Sequence, residues 1–327
     1  STQGVSSAAS DVYKRQGKMK DIENVIGEIK KAVIGKDEVI EKIMMTLLAR
    51  GHVLLEDIPG VGKTNLALAL SKSMSLDYHR IQLTTDVLPS DIVGFTMYNP
   101  QKNCFEYKEG IAFCHLLLAD EINRTSSKTQ AALLELMEEG RMSVDGTTYE
   151  LPQPFFVIAT QNPFGSAGTQ LLPDSQLDRF MVRLSLGYPS IVDEVEIMKT
   201  RQLNNPLESI EAILSPETMC EYQKQVDQVF MSDEIYYYIV AIVDASRHHE
   251  LVEQGASPRG SLALMKLAKA CAFMHGRDYV IPGDVKEVAP MTLAHRLILN
   301  YDAKMKEMNA LSIVEDILLK LKEPGIQ

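Results

Sequence analysis

Asp57-Ile58-Pro59-Gly60-Val61-Gly62-Lys63-Thr64 decides the fold. The apolar run Val53-Leu54-Leu55 precedes this stretch and the helix-forming Asn65-Leu66-Ala67-Leu68-Ala69-Leu70 follows it. A strand that breaks into a glycine loop and delivers Gly-Lys-Thr to a helix N-terminus is a phosphate cradle. Gly60 and Gly62 let backbone N–H groups turn toward an anion. Lys63 reaches the β- and γ-phosphates, and Thr64 offers its hydroxyl to Mg²⁺. The usual pattern opens on glycine where this chain has Asp57, so seven positions match, with the Gly-Lys-Thr core intact. Pro59, Val61 and Asn65 complete the expected contacts, joined by Ile34 and Gly35 from a break between two N-terminal helices. The implied ligand is a nucleoside triphosphate with its metal ion.

At 327 residues the chain has room for two domains and a sizeable core. Its 45% hydrophobic and 24% charged residues describe an ordinary globular protein. A net charge of −11, with Lys30-Lys31 and Arg80 as isolated basic points, argues against nucleic acid as the main partner. Cys104, Cys114, Cys220 and Cys271 lack Cys-x-x-Cys spacing and a nearby histidine pair, and read as reduced thiols. Apolar runs such as Phe155 to Ala159 are far too short to span a bilayer. A cytoplasmic location is expected. Ser1 to Lys18 lacks hydrophobic periodicity and a secretory core, so residues 1–18 are expected to be a leader outside the fold, disordered or extraneous, with Met19 as the natural start.

Short apolar runs at His52–Leu55, Tyr78–Leu83, His115–Ala119 and Phe155–Thr160 alternate with helical or loop sequence. That alternation predicts a doubly wound α/β domain over residues 19–188, with the ligand at the carboxyl ends of parallel strands. Two β-hairpins interrupt it. Gly94–Tyr98 and Cys104–Lys108 flank Asn99-Pro100; Arg141–Val144 and Thr147–Leu151 flank Asp145-Gly146, a type I′ turn signal. After Tyr188-Pro189-Ser190 strand signals stop. Helices are expected near Val192–Leu203, Pro216–Val229, Asp233–His248, Pro258–His275, Asp284–Leu299 and Ser312–Leu321, forming a lid over residues 189–327.

Leu116-Leu117-Leu118-Ala119-Asp120-Glu121 is a buried strand ending in two carboxylates. Asp120 would hold Mg²⁺, directly or through water, and Glu121 would polarise the attacking water. Asn162, ending the next strand, would orient that water or touch the γ-phosphate. Phosphoryl transfer spreads negative charge over the γ-oxygens and rewards preorganised cations. Arg259, at the second position of the lid helix starting at Pro258, is placed to reach the nucleotide of its own chain. Arg179 is placed to act on a neighbouring subunit's γ-phosphate, with Arg124 and Arg183 as competitors for that role.

The ordered set Asp57 to Thr64, Asp120-Glu121, Asn162, Arg179 and Ser257-Pro258-Arg259 resembles the AAA+ ATPases. Within that class the chain resembles the MoxR family from about residue 22 to 322. The likeness is carried by Leu118-Ala119-Asp120-Glu121-Ile122-Asn123-Arg124, Lys128-Thr129-Gln130-Ala131-Ala132-Leu133-Leu134-Glu135, Ile158-Ala159-Thr160-Gln161-Asn162-Pro163 and Gln176-Leu177-Asp178-Arg179-Phe180. The two hairpins match the helix-2 insert and the pre-sensor-1 hairpin of that clade. The resemblance implies a sheet of order 5-1-4-3-2, a hexameric ring of identical subunits and ATP hydrolysis to ADP between subunits. It also implies a chaperone-like role with a von Willebrand factor A domain partner, in maturing a client protein or inserting its metal cofactor. Ser126-Ser127 stands where the family commonly has two prolines, and Phe164-Gly165-Ser166-Ala167-Gly168 is smaller and less charged than usual.

Three other readings compete, of which a nucleotide-regulated binding module without turnover is opposed by the intact Asp120 and Glu121. A nucleic-acid-dependent motor would share both hairpins but carry basic residues at the second hairpin's tip, which here is Asp145-Gly146-Thr147. A GTP-using relative would share the phosphate loop, because that loop reads phosphates and not the base.

Overall fold

A computed structural model describes residues 3–163 and 171–325; Phe164 to Gly168, singled out above, lie outside the described residues. Helices α1 (Gln3–Ala32) and α2 (Asp37–Leu48) open the chain, and α1 takes in most of the stretch set aside as a leader. Ile22, Val25, Ile26 and Ile29 recur at three- and four-residue spacing and are buried, so one stripe of α1 faces the core. The turn between the helices passes through Gly35 at φ 72°. That left-handed angle favours glycine; a Cβ there would also meet the Asp193 carboxylate at 2.3 Å, the end of a flexible side chain that is free to shift.

The nucleotide-binding half follows as β1 (Val53–Glu56), α3 (Lys63–Ser73), β2 (Tyr78–Gln82), the short α4 (Pro89–Val93), β3 (Gly94–Asn99), β4 (Cys104–Glu109), β5 (Leu116–Asp120), α5 (Ser127–Glu139), β6 (Arg141–Val144), β7 (Thr147–Glu150), β8 (Phe156–Gln161), α6 (Asp174–Leu177) and β9 (Val182–Leu184). The main sheet has the order β2-β5-β8-β1-β9 with every neighbouring pair parallel. Counted along the chain, its strands lie 5-1-4-3-2, as expected. Leu55 sits opposite Thr160 and Leu184, and Gln82 opposite Asp120, so the phosphate loop and both acidic positions emerge at one edge. Both inserted hairpins form, and Asp145 (φ 50°) and Gly146 (φ 80°) take the left-handed angles of a type I′ turn.

Successive strand residues face opposite ways, and the core divides accordingly. Leu55, Leu118 and Ile158 pack with α1, α3 and the lid, whereas Leu54, Leu117 and Val157 pack beneath Leu133, Leu136 and Met137 of α5.

The C-terminal half is α7 (Ile191–Leu203), α8 (Pro216–Asp227), α9 (Asp233–Arg247), β10 (Val252–Gln254), α10 (Pro258–Met274), α11 (Pro282–Leu293), β11 (Ile298–Leu299), α12 (Tyr301–Met305) and α13 (Ala310–Lys320). Ser215 and Ser257 are N-caps, accepting from the amides of Thr218 and Arg259. Strand structure does not stop at residue 190: β10 and β11 pair as a two-stranded antiparallel ribbon. The helix expected over Asp284–Leu299 is correspondingly shorter. It ends at Leu293 because His295 and Arg296 turn back in a 3₁₀ turn to bond the segment around Phe180. Among the described residues no helix is long and apolar enough to cross a membrane.

Candidate nucleotide site

At the carboxyl edge of the sheet lies a cleft of about 340 Å³, lined by the phosphate loop from Asp57 to Asn65 together with Gln82, Asp120, Glu121, Thr160 and Asn162. Gly60 and Gly62, at φ 88° and 99°, hold the loop in the left-handed angles that aim amides inward. Lys63 begins α3 and donates from Nζ to the Asp57 carbonyl at 3.2 Å. Burial holds its ammonium below the ordinary lysine value, while the charges of Asp57, Asp120 and Glu121 act the other way.

A second hollow of about 300 Å³ adjoins the cleft. Val33, Ile34, Pro59, Val61, Tyr188 and Ile197 give it mainly apolar walls, suited to a flat heterocyclic base. Ile34, expected as a nucleotide contact, is among its lining residues. Gly35 is not among the lining residues; it serves the turn beneath Asp193.

Asp120 is nearly buried, and its carboxylate accepts from Arg80 Nε at 2.7 Å and from the Thr160 hydroxyl at 3.2 Å. Glu121 takes left-handed angles (φ 55°, ψ 51°), which cost a non-glycine residue on the order of 1–3 kcal/mol. Its amide donates to Thr160 Oγ1 at 3.0 Å, and its carboxylate pairs with Arg124 at 2.6 Å. Arg183 pairs with Glu56 at 3.4 Å. Arg124 and Arg183 are thus both engaged on carboxylates of the cleft edge. Ser126, standing where the resemblance expects proline, caps α5 by accepting from the Thr129 amide.

The structure corrects the expectation for Arg259. Its Nη2 donates to Glu138 Oε1 at 2.6 Å, and Arg179 Nη1 stands 3.7 Å from the other oxygen of the same carboxylate. Glu138 ends α5, whose Met137 carbonyl accepts from His52 Nε2 at 2.9 Å, and His52 immediately precedes β1. The arginine pair therefore lies at the amino edge of the sheet, separated from the phosphate loop by the length of β1, about 13 Å for four residues. The physical cause is a fastening between the halves. Asp178 accepts from Ser257 Oγ at 3.0 Å and Arg296 Nε at 2.8 Å, and Arg296 donates further to the carbonyls of Asp178, Phe180 and Met181. These bonds draw the start of α10 to the amino edge, away from the cleft.

Asp57 was read only as a departure from the glycine pattern, yet it organises the site. Its buried carboxylate accepts from Ser185 Oγ at 2.6 Å and from the amides of Leu186 and Gly187 at 2.7 and 2.9 Å. The first residue of the phosphate loop is thereby tied to the segment that leads from β9 to the lid.

Sheet order, phosphate loop and terminal Asp-Glu pair define a P-loop ATPase of the AAA+ class. Residues 52–182 match the family described as ATPase family associated with various cellular activities, and residues 244–317 match the AAA lid domain. The chain is 48% identical over 299 residues to Uncharacterized protein YeaC of Bacillus subtilis (strain 168), spanning 91% of this chain and 93% of that one. It is 38% identical over 314 residues to Chaperone MoxR1 of Mycobacterium tuberculosis (strain ATCC 25618 / H37Rv), spanning 93% of this chain and 83% of that protein. A crystal structure from Cytophaga hutchinsonii ATCC 33406 superposes with a TM-score of 0.89 at 38% identity, covering 98% of this chain and 99% of that one. The chain belongs to the MoxR family of AAA+ ATPases.

Proposed function

We propose that this protein hydrolyses ATP at an interface between identical subunits of a ring, and uses the cycle to remodel a client protein. The observation that carries this reading is the separation of the cleft holding Lys63, Asp120, Glu121 and Asn162 from the arginine pair Arg179 and Arg259 at the opposite edge of the sheet. Two arginines that cannot reach their own chain's phosphates are available to those of a neighbour. A head-to-tail contact that closes makes a ring, here of six subunits.

Within one subunit, the base enters the apolar hollow beside Ile34, and the loop amides and Lys63 hold the phosphates. Thr64 and Asp120 supply the hard oxygen donors that Mg²⁺ takes. Arg80 and the Thr160 hydroxyl hold the Asp120 carboxylate, so an ion bound to it directly would take the place of one of them. The ion would supply positive charge against the phosphates held by the loop. Glu121, released from Arg124, accepts a proton from the attacking water, and Asn162 orients that water. The neighbour's Arg179 and Arg259, released from Glu138, stabilise the charge that develops on the γ-oxygens. Residues 189–327 act as the lid, and the hairpin of β6 and β7 carries motion toward the client, with a von Willebrand factor A domain protein as partner in client maturation or metal-cofactor insertion.

Mixed rings test this. Arg179→Ala and Glu121→Gln are each expected to be inactive. Mixed, they can set an intact Arg179 beside an intact Glu121 and recover part of the activity. No recovery in rings shown to be mixed would remove the shared site. Competition of ATP against GTP for the apolar hollow checks the choice of base.

A further inference from the structure

Arg201, in the last turn of α7, lines both the base hollow and the phosphate cleft. Glu194, Ile197 and Arg201 follow the i, i+3, i+7 spacing of one helix face, so the face turned to the hollow ends in a guanidinium. Three basic side chains line the cleft. Lys63 is bonded to the Asp57 carbonyl and Arg80 is paired with Asp120, but Arg201 makes no hydrogen bond or ion pair among the described residues. Its place within the site is also defined. Asn65, in the first turn of α3, lines the same two hollows, which marks the junction where a base compartment meets a phosphate compartment. Asp120, Glu121 and Asn162 line the cleft but not the base hollow, and so mark the far, γ end. Arg259, the arginine expected to serve the nucleotide of its own chain, is held on Glu138 at the other edge of the sheet.

We propose that Arg201 is the same-chain arginine that grips the α- and β-phosphates of the bound nucleotide, facing Lys63 across the cleft. This rests on the reading of the cleft as a nucleotide site and adds a residue to it. A guanidinium can hold two phosphate oxygens in a fixed fork, which a lysine ammonium does not reproduce.

The test is displacement of a fluorescent ADP analogue by unlabelled ATP, ADP and adenosine, on the full chain and its Arg201→Ala, Arg201→Lys and Lys63→Ala variants. In Arg201→Ala the dissociation constants for ATP and ADP are expected to rise together, about tenfold or more, as for loss of a charged hydrogen bond. Adenosine affinity and the melting temperature of the ligand-free protein stay unchanged, and Arg201→Lys falls between. Unchanged ATP and ADP affinity, or an equal loss for adenosine, overturns the proposal. ATP binding by the wild type and its loss in Lys63→Ala, beside an unaltered Arg201→Ala, overturns the role of Arg201 alone. A wild type that binds no ATP overturns the nucleotide site and this proposal with it.

Discussion

Arg296 donates from Nε to the Asp178 carboxylate at 2.8 Å and from Nη2 to the Asp178 carbonyl at 3.0 Å. The Arg296 side chain is 3% exposed and that of Asp178 19%, so this pair joins the lid to the sheet largely out of water. Asp178 adjoins Arg179. The turn that carries Arg296 is thereby bonded to the residue beside the arginine proposed to serve a neighbour.

Removing one partner of a buried pair strands the other, which typically costs about 3–5 kcal/mol. Arg296→Met keeps an apolar stem but loses the fork, and is expected to lower unfolding stability by about that amount. Urea titration measures it. A loss below about 1 kcal/mol would mean that solvent already reaches the pair.

In the cleft, Lys63→Ala should abolish nucleotide binding, and Glu121→Gln should bind ATP normally while turnover is lost. Calorimetry separates the two. Undiminished binding in Lys63→Ala would sink the phosphate-loop assignment.

Asp57→Ala leaves the amides of Leu186 and Gly187 and the Ser185 hydroxyl without their acceptor. A cost of about 1–3 kcal/mol is expected for buried donors left unpaired. Faster hydrogen exchange at Leu186 and Gly187, with little change on α13, is the signature to look for. Uniform acceleration across the chain would instead mean global destabilisation.

His52 is buried between α5 and β8, donating from Nε2 to Met137 and accepting from the Val157 amide at Nδ1. Burial pushes its imidazole from near 6.5 down to about 4. The unfolded chain then binds more protons between those values, so the contribution of His52 is complete above about pH 6.5 and is lost as pH falls toward 4. His295, pushed down by burial and the neighbouring Arg296 charge, acts with the same sign. Comparing wild type with His52→Gln, the wild type should lose about 2–3 kcal/mol more between pH 7 and pH 4.5. Equal losses would show that His52 does not titrate in this window.

What was legible in the sequence was local. The phosphate loop lies on one turn and the Asp120-Glu121 pair on one strand end, and both hairpins are written in their turn residues. The N-cap and proline that start α10 were readable too, but the place where that helix begins in space was not. That place depends on Arg296 meeting Asp178, more than a hundred residues away along the chain. Arg201 escaped notice for a similar reason. An exposed arginine near a helix end has no distinguishing neighbours in sequence, and only the packing of α7 across the hollow gives it a task. Asp57 did leave a trace, as an acid where a glycine is usual, but its acceptor role needed the segment at Ser185 to Gly187 to come alongside.

Glu194, Ile197, Thr200 and Arg201 of α7 form the wall of the base hollow, while most of that helix stands in water, with Ile191 84% and Met198 68% exposed. Arg296 fastens the lid at the far edge of the sheet. One side of the base hollow is therefore a single helix, held between the Ser190 cap at one end and the Asn204 cap at the other. A base lodged there would have one helix between itself and the water on this side.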